Sequence, residues 1–418
     1  MSCSGNVVAI TGLGIVSALG TGVSTFWNNL IAGKSGVDHI TQFDTSGFSV
    51  SIAAEVKDFS PEDFMERKEA RRRDRYTQFA VAASKLAWED ACLTEKDCDP
   101  FRSGVIIGSG VGGISTFETN MRTYLDKGPS RISPFFIPML IPNMASGVVA
   151  IELGLRGLNY CTVSACASSS HAVGVAVDMI RLGRADMIMA GGSEAAVTPM
   201  TVGGFSSMHA LSVRNDEPTK ASRPFDKERN GFVIGEGAAT LVLESLEHAK
   251  ARGARIYALV GGYGATADAY HITAPDPEGV GTTQAMRLAL EDAHLGVEDI
   301  DYINAHGTST PLGDIAEVKA IKRLFGEHSR RVAVSSTKSM LGHALGATGA
   351  IETAVCALTI KNGVVPPTIN YEFPDPECNI DVVPNVARKM RVRAALNNSF
   401  GFGGQNSVLA LREYVVEP

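Results

Sequence analysis

Short apolar, β-branched segments alternate along the chain with longer segments whose apolar residues recur at helical spacing. The apolar segments are "NVVAITG", "SGVIIGSG", "DMIMAGG", "ATLVLES", "IYALVGG", "IDYINAHG", "RVAVSS" and "SVLALREY". Strands separated by helices of this length are typical of parallel βαβ units. The pattern therefore predicts an α/β protein.

The segment "EHAKARGARIYALVGGYG" predicts a helix end, a cap at Gly253 and a new strand, so we expect two halves, residues 1–255 and 256–418. The halves resemble each other. "VVAITGLGIVS" resembles "IYALVGGYGAT", and "CTVSACASSSHAVGVAVDMI" resembles "VAVSSTKSMLGHALGATGAIETAV", which pairs Cys166 with His343. The first half must then carry insertions, mainly residues 113–150, whose aromatic segment "RISPFFIPMLIPN" is suited to cover a partner subunit.

Composition narrows the function classes. The chain has 418 residues, 44% of them hydrophobic, and a formal net charge of −7, which argues against a nucleic-acid binder. No apolar run approaches the roughly 20 residues of a membrane span, and the first apolar run lacks the features of a signal peptide. The 7 cysteines are scattered without paired CxxC spacing, so neither a disulfide framework nor a metal site is indicated. We expect a cytoplasmic protein.

The stretch "TVSACASSSHAVG" places one cysteine, Cys166, between an apolar run and a predicted helix. A helix that begins directly after Cys166 would direct its free N–H groups toward the sulfur and favour the thiolate, as a nucleophile requires. The small residues around Cys166 would let a substrate approach the backbone. A buried structural cysteine is the alternative interpretation.

Two histidines follow predicted strands. "NAHGTSTPLGD" places His306 after the strand "DYIN", and "SSTKSMLGHALGATGA" places His343 and Lys338 after the strand "VAVS". Open α/β sheets build their sites at the carboxyl ends of parallel strands. We therefore expect both histidines to lie near Cys166.

Five motifs in order, "SACASS", "NAHGTSTPLGD", "STKS", "MLGHALGATGAIE" and "NSFGFGGQN", resemble those of the elongating β-ketoacyl-[acyl-carrier-protein] synthases, closest to the synthase II type. The resemblance covers essentially the whole chain. It implies a thiolase-like fold, a duplicated αβαβα arrangement of five layers. The first half would carry the nucleophile and the dimer insertions, and the second half the two histidines and a gate loop. "ACASSSHA" lies between the synthase I and synthase II patterns, which leaves the preferred chain length open.

The resemblance also implies the roles of the central residues. Cys166 would take the acyl group, with the backbone N–H groups of Cys166 and Phe402 as the oxyanion hole. His306 and His343 would stabilise the enolate left by decarboxylation of a malonyl thioester. Lys338 would support the histidines, paired with Glu317 or Glu352.

Substrate-binding residues are likewise implied by the family. Thr308 and Thr310 would bind the phosphopantetheine arm, and Phe402, flanked by glycines in "GFGG", would gate the acyl entrance. The acyl tunnel would be lined by Val111, Phe205 and, from the second subunit, Phe136. No free cofactor is expected, since the substrates are carried on acyl carrier protein, and the enzyme would be a homodimer.

Residues 66–75, "ERKEARRRDR", are basic in an otherwise acidic chain. If they form one helix, Arg67, Arg71 and Arg75 share a face, with Lys68 and Arg72 beside them. The family docks its acidic carrier protein on a basic patch that corresponds to Lys68, Arg71 and Arg72. A solvated helix face is the alternative.

Other interpretations stay open. "GSGVGG", residues 108–113, fits the dinucleotide fingerprint, but the acidic residue expected after the next strand is missing. A thiolase-like acyltransferase that uses coenzyme A, a synthase I-like or polyketide-type condensing enzyme, and a catalytically silent partner subunit are the remaining alternatives. Silent subunits lack the active cysteine, whereas Cys166 is present.

Overall fold

The computed structural model describes residues 7–415, so Cys3 lies outside the described residues. Among residues 7–415, the central sheet has eleven strands. Ten of them are named here in chain order, and the eleventh, Gly20–Thr21, pairs only with β1. The strands are β1 Val8–Ser17, β2 Ser103–Gly108, β3 Asn159–Tyr160, β4 Met187–Glu194, β5 Gly237–Ser245, β6 Ala258–Ala267, β7 Tyr302–Asn304, β8 Ala333–Ser335, β9 Ala394–Gly401 and β10 Gln405–Arg412.

The strand order shows an internal duplication. The order is β8-β7-β9-β10-β6-β1-β5-β4-β2-β3, so the same arrangement occurs on both sides of the β6–β1 junction. At that junction Val8–Ile10 pair antiparallel with Ala258–Val260. This confirms the duplicated α/β fold that the two similar halves of the sequence indicate.

The helices are α1 Val23–Ile31, α2 Arg67–Ala70, α3 Arg75–Asp90, α4 Ile114–Lys127, α5 Phe136–Leu140, α6 Met144–Leu153, α7 Ser168–Arg181, α8 Pro199–Ser207, α9 Leu246–Ala251, α10 Val280–Ala293, α11 Pro311–Phe325, α12 Lys338–Leu341 and α13 Thr348–Asn362. Helices α7 and α13 lie between the two halves of the sheet, where they share one apolar core with both. Helices α3 and α10 cover the outer faces. The layers are therefore helix, sheet, helix, sheet and helix. None of the described helices has the length and apolar character to cross a bilayer.

Glycines explain why β1 and β6, the first strand of each half, have similar sequences. A Cβ atom at Gly14 of β1 would collide with the backbone of α3, and one at Gly264 of β6 would collide with the backbone of α10. Each outer helix thus lies directly against its strand. The similarity of "GLG" to "GGYG" reflects this close approach in both halves.

The sheet is mixed, which corrects the expectation of parallel βαβ units alone. β2 pairs in parallel with β3 and β4, and β7 with β8 and β9, whereas the remaining pairs are antiparallel. β9 and β10 form a hairpin around Phe402, so no helix separates them. The apolar pattern missed β9 because Asn397, Asn398 and Ser399 are polar and buried.

The register of the internal repeat also differs from the expected one. Ala165 and Leu345 both adopt positive φ, 49° and 44°, in short turns that lead into α7 and α13. This matches Cys166 with Gly346 rather than with His343. The sequence match of Cys166 with His343 as equivalent positions was therefore wrong by one short turn. The segment between the strand and the helix differs in length between the two halves.

Candidate active site

One cavity of about 500 Å³ collects most of the predicted site residues. It lies between the corners that follow strands of both halves of the sheet. Nine of the predicted side chains line it: Cys166, His306, His343, Thr308, Thr310, Val111, Phe205, Phe402 and Glu317. Lys338 and Glu352 are buried nearby but do not line it, and Phe136 of this same chain does not reach it.

Cys166 lies in the single 3₁₀ turn Ala165–Ala167 that leads into α7. The backbone N–H groups of Phe402 and of Cys166 itself form hydrogen bonds with the thiol that lower its pKa. Gly401 makes this possible, because a Cβ atom there would lie 2.7 Å from the carbonyl oxygen of Ser164. The structure thus places two backbone donors beside the sulfur.

Burial raises the pKa of the Cys166 thiol to about 11, while Lys338 and the two N–H groups act in the opposite direction. The backbone N–H groups thus act on the pKa in the expected direction, but burial outweighs them and the thiol form is favoured. Cys166 is partly buried at the wall of the cavity, and desolvation there disfavours its charged form.

His306 and His343 face each other and Cys166. One ligating atom from each of the three side chains lies within 4.8 Å of the others. The two imidazole rings are nearly perpendicular, with centroids 5.4 Å apart. Nδ1 of His343 is 3.0 Å from the hydroxyl oxygen of Thr348, at the start of α13. Within the described chain, Nε2 of His343 and Nδ1 of His306 are buried without a hydrogen-bond partner.

Burial, and next the positive charge of Lys338, holds the pKa of both histidines well below the usual 6.5. Both rings are therefore neutral at pH 7. A neutral imidazole carries one donor and one acceptor nitrogen, so each ring can offer one N–H to a substrate oxygen.

Lys338 forms an ion pair with Glu352. The sequence alone leaves Glu317 and Glu352 as alternative partners for this lysine. The ammonium nitrogen lies 2.5 Å from Oε1 of Glu352, and both side chains are 1% exposed. Glu317 instead accepts the backbone N–H groups of His306 and Gly307, at 2.8 and 2.7 Å, together with the amide of Asn398. Glu317 thus fixes the loop that carries His306.

Aromatic side chains form part of the cavity wall. The ring of Phe205 packs edge-on against Phe232, 5.2 Å between centroids, and lies 6.2 Å from the ring of Phe402. Phe232 also packs against His343. Sequence reasoning missed Phe232, Phe400 and Leu345, which line the same cavity. Phe400, inside "NSFGFGGQN", and Leu345, inside "MLGHALGATGAIE", lay in motifs that could have shown them, whereas Phe232 lay in none.

Two loops at the cavity have the expected position. The hydroxyl oxygens of Thr308 and Thr310 are 3.0 Å apart on the loop before α11. The corner "GSGVGG" places Gly110 and Val111 at the cavity, beside Cys166. The Gly-rich corner therefore belongs to this site.

The basic segment does not form one continuous helix. It divides into α2 and α3, because Asp74 caps α3 by accepting the N–H of Tyr76. Arg75 binds the buried Glu236, and Arg73 binds Glu152, so neither belongs to an exposed basic face. The predicted docking residues Lys68, Arg71 and Arg72 are exposed, and the guanidinium of Arg72 lies 4.9 Å from the ring of Phe135.

Comparison with known proteins identifies the family. Residues 6–249 match the Beta-ketoacyl synthase, N-terminal domain, and residues 257–372 match the Beta-ketoacyl synthase, C-terminal domain. The chain belongs to the β-ketoacyl synthase family. It is 52% identical over 407 residues to a 3-oxoacyl-[acyl-carrier-protein] synthase 2 of Staphylococcus aureus, which covers 97% of this chain and 98% of the relative.

Solved structures of β-ketoacyl synthases have the same fold. The ishigamide ketosynthase/chain length factor superposes with a TM-score of 0.93 at 40% identity, over 99% of this chain and 100% of that one. A ketosynthase in complex with its type II polyketide acyl carrier protein superposes with a TM-score of 0.92 at 37% identity, over 98% and 100% of the two chains. The thiolase-like fold and the condensing acyltransferase class that the motifs implied are confirmed.

Proposed function

We propose that this chain is a 3-oxoacyl-[acyl-carrier-protein] synthase of type 2, which elongates an acyl chain by two carbons in fatty acid synthesis. The observation that carries the proposal is the grouping of one thiol and two neutral imidazoles within 4.8 Å, beside two backbone N–H groups. The match to a synthase 2 over nearly the full chain supports it.

The first step transfers the acyl group to Cys166. The sulfur of Cys166 forms a bond to the thioester carbonyl carbon, the bond from that carbon to the carrier's sulfur breaks, and the proton of Cys166 passes to the departing sulfur. The N–H groups of Cys166 and Phe402 stabilise the negative oxygen between these events. Because the thiol has a raised pKa, its proton leaves during the attack rather than before it.

The second step uses the histidines. A malonyl thioester loses carbon dioxide, and the electron pair of the broken bond becomes an enolate whose oxygen accepts hydrogen bonds from His306 and His343. The carbanion carbon then attacks the acyl carbonyl of Cys166, forming the new carbon–carbon bond. The sulfur of Cys166 departs and takes up a proton, which restores the resting thiol.

Supporting roles follow the same arrangement. Lys338 and Glu352 orient the histidines and lower their pKa values, and Glu317 holds the loop that carries His306. Thr308 and Thr310 bind the phosphopantetheine arm, and Phe402 gates the acyl entrance. The acyl tunnel runs along Val111 and Phe205, completed by Phe136 of the partner subunit.

The remaining assignments concern the molecule and its partners. Acyl carrier protein docks on Lys68, Arg71 and Arg72, and the enzyme acts as a homodimer without a free cofactor. Its two halves meet near residue 255. The free cysteines among the described residues suit a cytoplasmic protein.

The test of this function begins with the nucleophile. Cys166→Ala should abolish acyl transfer and condensation, because no sulfur is left to form the thioester. Cys166→Gln, whose amide resembles the acylated state, should retain or increase malonyl decarboxylation. Both are measured with acyl and malonyl groups on carrier protein and, separately, on coenzyme A. Normal condensation by Cys166→Ala would disprove the mechanism, and a preference for coenzyme A would favour the thiolase-like alternative.

The thiol and the two imidazoles are also a set of groups that could bind a metal ion, so the effect of metals on activity provides a second test of the mechanism. In the proposed mechanism Cys166, His306 and His343 act without metal, so a chelator should leave condensation unchanged. Zinc ions should inhibit by occupying the sulfur and imidazole nitrogens. Loss of activity with a chelator and recovery with added zinc would contradict the proposal.

A further inference from the structure

Glu194, the last residue of β4, is fully buried and accepts hydrogen bonds from four donors. Its carboxylate binds the hydroxyl of Ser109 at 2.9 Å and the backbone N–H groups of Gly110 and Val111 at 2.7 and 3.1 Å. It also binds the backbone N–H of Gly346 at 2.9 Å. The first three donors belong to the corner after β2, and the fourth to the corner before α13. One side chain therefore joins the two halves of the molecule.

Both corners form the wall of the reaction cavity. Gly110 and Val111 from the first corner, and Leu345 from the second, line it together with Cys166. The corners touch so closely that a Cβ atom at Gly346 would collide with the backbone nitrogen of Gly110. The positions of Val111 and Leu345 relative to the sulfur thus depend on what holds these corners together.

A carboxylate suits this place because all four of its partners are donors. An ionised carboxylate offers only acceptor sites, whereas a glutamine amide would place its own N–H₂ group against other N–H groups. Within residues 7–415, no lysine or arginine forms an ion pair with Glu194. Burial raises the pKa of Glu194, and its four donors act in the opposite direction. Backbone N–H groups are therefore the main partners of this carboxyl group.

We propose that Glu194 is a positioning residue that sets the width of the acyl channel by fixing Val111 and Leu345 on opposite corners beside Cys166. It acts through these residues, and it determines how well acyl groups long enough to pass between them are accepted. The inference rests on the proposed condensing function. It assigns chain-length selection to a contact between the two halves as well as to the side chains that line the channel.

The experiment compares acetyl and dodecanoyl groups, both presented on carrier protein, in transfer to Cys166. In Glu194→Gln, we expect kcat/KM for dodecanoyl to fall about 10-fold or more relative to that for acetyl, because an acyl chain is sensitive to small displacements of its pocket. Ser109→Ala, which removes one donor and keeps the carboxylate, should change the ratio in the same direction by less. Malonyl decarboxylation in the Cys166→Gln background should fall less than dodecanoyl transfer, since it does not require an acyl chain to pass between Val111 and Leu345.

Glu244→Gln is the matched control. Glu244 is also fully buried and lies on the adjacent strand β5, but it pairs with Arg252 and is opposite Met187, at the other end of β4. Its loss should lower thermal stability without changing the ratio of dodecanoyl to acetyl transfer. An unchanged ratio in Glu194→Gln, or an equal loss with both acyl lengths, would overturn the inference. If that variant does not fold, an unchanged ratio in Ser109→Ala overturns it. Failure of the unsubstituted enzyme to transfer either acyl group would refute the proposed function instead.

Discussion

At the scale of single residues, chemistry in this site depends on which groups are kept neutral. His343 is buried, Cys166 and His306 are partly buried, and desolvation disfavours the charged form of each. The sulfur is a protonated thiol and the imidazoles are uncharged at pH 7. Charge therefore develops only on the substrate oxygens, beside donors that are already in place, which is the arrangement that stabilises an oxyanion most strongly.

The two histidines should be separable from the thiol in function. In His306→Ala or His343→Ala, Cys166 should still accept a radiolabelled acyl group, because the oxyanion hole for that step consists of backbone N–H groups. Malonyl decarboxylation should fall by about 10²-fold or more, the usual effect of removing one oxyanion donor. Acylation is followed by retained label, and decarboxylation by released carbon dioxide. Lost acylation with normal decarboxylation would reverse the assigned roles.

Lys338 should set the lower pH limit of decarboxylation. Its charge helps to hold the pKa of both histidines well below 6.5, so they become charged only at lower pH, where Nδ1 of His343 can no longer accept the hydrogen bond of Thr348 that orients the ring. Lys338→Met removes this charge, the histidine pKa values rise toward 6.5, and the acidic limb of the rate profile should move to higher pH. The profile is measured in the Cys166→Gln background. A limb that stays in place or moves to lower pH contradicts the assignment.

At the scale of helices and strands, the sequence predicted those features that depend on the local pattern of apolar and polar residues. The apolar runs predicted most of the long strands, and the polar corners after them predicted the residues that meet at the cavity. Tertiary partners decided the rest. β9 carries buried asparagines whose partners, such as Thr353 and Glu317, lie elsewhere in the chain. The basic segment bends at Asp74 because that carboxylate also binds Thr116, from α4. No local pattern contains these contacts.

The exposed part of the basic segment should steer the carrier protein. Reversing Lys68 and Arg71 to Glu should raise KM for carrier-bound substrate several-fold and flatten its dependence on salt, because peripheral charges act mainly on encounter. Activity with pantetheine thioesters should change little. Reversal of Arg287 and Arg330, which are also exposed, is the control for net charge. Equal losses on both kinds of substrate would mean that the segment only stabilises the fold.

At the scale of the whole molecule, duplication places the nucleophile and the histidines on different halves. Cys166 precedes α7 in the first half, and His343 precedes α13 in the second, while both helices pack side by side in the central layer. Sequence similarity between the halves indicated this arrangement. It did not reveal that Cys166 corresponds to Gly346. The equivalent positions just before them, Ala165 and Leu345, share a positive φ but have different side chains, so the sequence does not show that they correspond.

Exposed apolar side chains on one surface of the molecule predict a two-fold homodimer. Large apolar side chains are exposed on the inserted segment and beside the edge strand β3, including Leu125 at 72%, Ile151 at 76% and Val163 at 59%. An obligate dimer interface buries roughly 2,000 Å² or more of such surface. Sedimentation should show a dimer of the unsubstituted chain, and Ile151→Asp with Val163→Asp should weaken it.

The control for that experiment is Val386→Asp, because Val386 is 74% exposed outside this surface and its substitution should leave the dimer intact. The weakened dimer should also lose transfer of long acyl groups more than transfer of acetyl groups. Phe136 does not reach the cavity of its own chain, and we expect the partner's copy to complete the channel. A stable monomer with full activity on long acyl groups would show that one chain is sufficient.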